Sequence, residues 1–142
     1  MSDLNADSQL KASIMAALAL DKKAEGLKLL QVSEKTSYTD YLVICSAPSE
    51  RQVQAVARNI LDEMRLAGVR PLGQEGLSEG HWVLLDFGEV VAHIFFEGAR
   101  TYYDLDGFWE EVPEQSFDEA SAMSKLKEAQ ALRQSTKDQA AL

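Results

Sequence analysis

Asp104-Leu105-Asp106 sets two carboxylates at the spacing by which strand aspartates hold magnesium in nucleotidyl transfer. The pair follows an expected helical turn, where an N-cap role for either aspartate accounts for the same residues. His93 and Asp86 are the acid–base candidates, and strand alternation puts them on one face of a hairpin. His93 then falls opposite Leu84, one pleat from Asp86, with no nucleophile or metal ligand at hand. His81 is the second of two histidines, and no His-x-His or His-x-x-x-His spacing exists to hold zinc. Gly73, Gly76 and Gly80 lack the Lys-Ser/Thr of a phosphate loop, and no helix opens directly after them. Cys45 is the chain's one cysteine and sits in an apolar strand, as a structural thiol would. Ser49-Glu50-Arg51-Gln52 could catch an anion on free helix amides, but it also has capping-box spacing. No catalytic constellation, metal set or cofactor loop emerges, and no cofactor is expected.

The elements that must position these residues give an α/β order. Ser8 to Asp21 places Leu10, Ile14, Ala17 and Leu18 on one stripe of an alanine-rich helix. Gly26 breaks it, and Leu27 to Val32 reads as a strand. Asp40 to Ser46 is apolar on both faces, the pattern of a central strand. Ser49 caps a second helix with Val53, Val56, Ala57, Ile60, Met64 and Ala67 on one side, stopped by Gly68 and Pro71. Arg70 to Glu75 reads as a weak edge strand. The stretch HWVLLDFGEVVAHIFF, His81 to Phe96, is a hairpin turning at Phe87-Gly88 or Gly88-Glu89. Its apolar face carries Val83, Leu85, Ala92, Ile94 and Phe96. Its mixed face carries Trp82, Leu84, Asp86, Val91, His93 and Phe95. Short helical turns follow to about Val112. From Pro113 the chain loses nearly all large apolar residues, so 1–112 is expected as the domain and 113–142 as a helical or solvated tail. In that tail Ser116 and Glu119 would cap a helix carrying Met123, Leu126 and Leu132.

With 142 residues and one core's worth of chain, the protein carries a formal charge of −9. The residues before Val112 hold 10 basic and 18 acidic side chains. Such a domain is poorly suited to grip phosphates and suits a basic protein instead, although acidity can simply maintain solubility. The N-terminal MSDLNADSQL has no charged-then-apolar leader and no apolar run approaches a membrane span, so a cytoplasmic protein is expected. Two readings fit the mixed hairpin face. It is a protein-binding surface of aromatic area with polar anchors, or a helix covers it and His93 is a satisfied core histidine.

Three ordered segments carry a resemblance. SYTDYLVICSAPSERQVQAVA (Ser37–Ala57), the glycine-bounded hairpin from Glu75 to Phe95 and ARTYYDLDGFW (Ala99–Trp109) resemble the bacterial ribosomal silencing factor, or Iojap-like, family. The resemblance implies a mixed sheet of about five strands with flanking helices, a nucleotidyltransferase-like topology without the catalytic set. It implies a translational repressor, not an enzyme, that binds the large ribosomal subunit through large-subunit ribosomal protein number fourteen. That basic protein lies on the joining face, so docking would block the small subunit, especially under nutrient limitation. The matching polar and aromatic positions are Asp40, Tyr41, Arg51, Gln52, Trp82, Asp86, His93, Arg100 and Tyr103. From the face argument, Trp82, Leu84, Asp86 and His93 are expected to meet the partner, with Arg100 and Tyr103 at the margin and Asp40 and Tyr41 structural. Departures are Ser46-Ala47-Pro48, where members often carry Gly then Ser or Thr, and Asp106, where Glu is common. The alternatives are a small metal-dependent nucleotidyltransferase or hydrolase using Asp104 and Asp106, and a homodimeric adaptor meeting its own copy through Trp82.

Overall fold

The computed structural model describes residue 4 and residues 7–140. Among these residues five helices and five strands run in the order α1 (Ser8–Asp21), β1 (Glu25–Gln31), β2 (Tyr41–Ala47), α2 (Glu50–Leu66), β3 (Gly73–Glu75), β4 (Trp82–Asp86), β5 (Val90–Phe96), α3 (Glu97–Tyr103), α4 (Leu105–Phe108) and α5 (Glu119–Ala140). The sheet order is β1-β2-β5-β4-β3. β2 and β5 pair in parallel and every other neighbour is antiparallel, so the sheet is mixed, as expected. β2 is buried along its whole length, which is why its sequence is apolar on both faces.

Alternation in β2, β4 and β5 divides the interior into two. Val43, Cys45, Val83, Leu85, Ala92 and Ile94 join α1 and α2 in the main core. Leu42, Ile44, Val91 and Phe95 look the other way, and Leu30, Val32 and Trp109 complete a smaller core there. α2 begins where the capping pattern placed it, with the Gln52 amide donating to Ser49 Oγ at 3.1 Å. The hairpin turns on Gly88-Glu89, the second of the two candidate pairs: Phe87 N–H donates to the Val90 carbonyl, and Gly88 takes φ +88°, a conformation that costs glycine little.

Three expectations are corrected. The first strand starts at Glu25 and runs through Gly26, with its register slipping between Glu25 and Lys28, so the glycine is an irregularity inside the strand. α1 is not buried on one stripe: Lys11, Ala12 and Ile14 to Ala19 are all buried. The cause is α5, which packs against α1 and α2 on the side away from the sheet. Ala122 and Leu126 of α5 enter the main core, and Gln130 donates to the Glu63 carbonyl at 3.0 Å. Asp118, not Ser116, caps α5, accepting from the Ser121 amide at 2.9 Å. The alanines of α1 make this double contact workable, because small side chains let helices approach from two sides. Lys11 is 2% exposed, yet its ammonium reaches Glu89 in the hairpin turn at 3.1 Å. That ion pair ties the first helix to the β4–β5 connection.

Candidate functional site

Three rows cross the mixed face. Ser46, Phe95 and Trp82 form one; Ile44, His93, Leu84 and Glu75 the next; Leu42, Val91, Asp86 and Gly73 the last. The β1–β2 end of this face is covered by Leu105, Trp109 and Val112. Towards β4 and β3 the cover stops, leaving Trp82, Leu84 and Asp86 half-buried and Glu75 exposed. The face is therefore covered over one part of the sheet and open over the other.

Trp82 organises the open part. Its ring lies 4.9 Å from Phe95 beneath and 4.8 Å from Tyr103, centroid to centroid, at distances favourable for aromatic pairs. Tyr102 stands edge-on to Tyr103 at 5.0 Å, and the two tyrosines are 78% and 55% exposed. Gly76 fixes where β4 begins, since a Cβ there would strike the Trp82 carbonyl oxygen. The result is a continuous aromatic patch bordered by two carboxylates.

His93 is 6% exposed, so it underlies this patch and does not project from it. Indole Nε1 can only donate, and it donates to His93 Nδ1 at 3.0 Å. The imidazole proton therefore resides on Nε2, and burial lowers the histidine's pKa to about 4. A neutral ring whose Nδ1 is occupied holds Trp82 at a fixed angle. Asp86 accepts from the Gly88 amide at 2.8 Å, which shapes the turn.

Arg100 is a brace. Its Nε and Nη2 donate to Asp106 at 3.0 and 2.8 Å, and Nη1 donates to Ser46 Oγ at 3.2 Å. Lys28 reaches the same Asp106 at 3.0 Å. Hydrogen bonds from Arg100, with further help from Lys28, hold the Asp106 carboxyl at about 2. Arg100 thereby fastens α3 to β2 and α4, and α3 carries Tyr103 to Trp82. Asp104 has a separate task, capping α4 by accepting from the Gly107 amide at 3.1 Å. The two aspartates of the D-x-D are thus each engaged in structure. Burial pushes the Cys45 thiol up to about 12, so it is not a poised nucleophile. Among the described residues no three His, Cys, Asp or Glu side chains gather as a metal site would need, and no helix is long and apolar enough to cross a membrane.

Glu75 and Tyr102 are the members of this surface that sequence reasoning did not single out. Glu75 is placed by the β3–β4 register, and the exposure of Tyr102 by the brace on α3, both of which depend on contacts distant in sequence.

Known proteins resemble the chain along most of its length. A family model described as ribosomal silencing factor during starvation matches residues 5–141, which includes α5. The ribosomal silencing factor of Bacillus subtilis is 40% identical over 110 residues, 78% of this chain and 92% of the relative. The chloroplastic protein Iojap of Arabidopsis thaliana is 33% identical over 109 residues, 75% of this chain and 44% of that protein. A crystal structure of a Chromobacterium violaceum protein aligns with a TM-score of 0.71 at 30% identity, covering 79% of this chain and 91% of the other. One from Bacillus halodurans gives 0.66 at 33%, covering 73% and 94%.

Proposed function

The chain belongs to the ribosomal silencing factor family, and from that membership we propose that it is a cytoplasmic translational repressor acting by steric obstruction. It docks on the large ribosomal subunit through large-subunit ribosomal protein number fourteen, and its bulk keeps the small subunit from joining, above all when nutrients are short. Trp82, Leu84 and Tyr103 form the centre of the contact, with Asp86 on the rim. His93 and Arg100 act from behind, one setting the indole and the other setting α3. The reading is non-enzymatic, and the engagement of His93, Asp104 and Asp106 in structural bonds supports it.

The observation that carries the proposal is the half-open aromatic patch beside Glu75 and Asp86, on a chain of charge −9. Exposed apolar area of this kind marks a partner surface, and acidic neighbours select a basic partner. Truncating a central aromatic anchor costs ~2–4 kcal/mol, roughly 30- to 800-fold in affinity. The expected outcome is that wild-type protein migrates with free large subunits in a sucrose gradient while Trp82→Ala stays at the top. Tyr103→Ala, which removes an exposed ring, serves as the second variant and should weaken co-migration with no loss of fold. Unchanged co-migration of both would overturn the assignment of this face.

A further inference from the structure

A cleft of ≈ 700 Å³ opens on the same side of the sheet as Trp82, between the connection after β1 and α4. Its walls are two exposed rings, Tyr38 at 59% and Phe108 at 77% exposure. Its floor is Leu105, Trp109 and Val112, the residues that cover the smaller core. Glu110 and Glu111 stand exposed at the rim, and among the described residues neither enters an ion pair. Burial first, and then the Asp86 carboxylate, raise the pKa of Tyr38, so Asp86 lies near this cleft. Lys35 is the single basic residue of the lining.

We propose that this cleft is a second part of the docking surface, and that it receives an arginine or lysine side chain from the basic protein seated against Trp82. Such a side chain joins an aliphatic stem to a cation. The stem fits between the two rings, whose faces attract the cation, and the carboxylates of Glu110 and Glu111 meet the charged end. An anionic occupant is disfavoured by the same carboxylates, which outnumber Lys35. This inference rests on the proposed function, and it adds a recognition element that discriminates among basic surfaces rather than simply attracting them.

The test is a titration of full-length labelled chain with purified large subunits at about 50 mM and about 500 mM salt. Glu110→Gln with Glu111→Gln should weaken binding about 3- to 30-fold at the lower salt, and the deficit should shrink at the higher. Phe108→Ala should weaken it about 3- to 10-fold at both, since dispersion and burial are not screened. Both changes replace exposed side chains, and Phe108→Ala gives up only an edge contact with Trp109, so melting temperatures should stay close to wild type. Wild-type affinity in both cleft variants overturns the proposal, whatever Trp82→Ala does. Loss in Trp82→Ala alone would retain the proposed function and discard the cleft; a wild-type chain that does not bind large subunits would discard the function reading and the cleft with it. If the cleft variants alter only the chain's own mass in sedimentation and leave subunit binding unchanged, the cleft is a self-contact and the proposal falls.

Discussion

The imidazole of His93 is neutral at pH 7, and its bond to Trp82 requires that it remain so. Its pKa falls from the ordinary value of 6.5 to about 4 in the folded chain because burial disfavours the cation. Between those two values the unfolded chain binds a proton that the folded chain refuses, so stability must decline as pH drops from about 6.5 towards 4 and change no further on this account below it. The difference is on the order of 3 kcal/mol. Urea unfolding should register about 2 kcal/mol of it between pH 7 and pH 5, and His93→Gln, which cannot titrate, should flatten that pH dependence. An unaltered profile in the variant would show that another group is responsible. The alternation of the hairpin revealed which face His93 occupies, because period two is written in the residues themselves. It could not reveal the burial, because that depends on how the Trp82 ring is held against the imidazole, with Tyr103 brought to it by the braced α3.

Among the elements, α5 has the largest effect relative to its faint sequence signal. Its apolar stripe is thin, so the region after Pro113 read as a tail. Yet Ala122 and Leu126 are buried, and the helix accounts for the burial of α1 on its second side. Removing everything from Asp118 onward should cost about 3–5 kcal/mol, from the lost burial of Leu126 and the uncovered alanines and methionine of α1. Ending the chain after Arg133 should cost less than about 1 kcal/mol, because residues 134–140 are exposed. Chemical denaturation of the two truncations measures both; equal losses would refute the division of α5 into a docked and a free half. The contrast with α2 is instructive. That helix announced itself through Ser49, Gln52 and Gly68, all local signals, whereas the packing of α5 is specified by what already lies on the far side of α1.

At the scale of the whole molecule, charge and apolar patch act in opposite directions on association. Two copies meeting through Trp82 and Tyr103 would bring together like charges of −9, and salt would relieve that repulsion. Docking on a basic protein is attractive and salt would weaken it. Light scattering of the unbound chain should therefore give a higher average mass at about 500 mM salt than at about 50 mM, while binding to large subunits follows the reverse trend. A mass that stays monomeric at both concentrations would remove the homodimer as a competitor of docking. The sheet places the patch at its open end, next to edge strand β3, with the thickest part of the molecule behind it on the α1, α2 and α5 side. A body docked through that face presents its bulk outward, the disposition an obstructing factor needs.

The double burial of α1 has a consequence for biosynthesis. Among the described helices α1 leaves the ribosome first, whereas the helix that shields its outer side begins at Glu119. Roughly a hundred residues separate them, about 5–20 s of elongation at 5–20 residues per second. Throughout that interval a nascent alanine- and methionine-bearing surface has no native cover. The parallel pairing of Tyr41 with Val90 imposes a second delay, since the centre of the sheet cannot close before β5 is made. The domain acquires its final form only once α5 has been made.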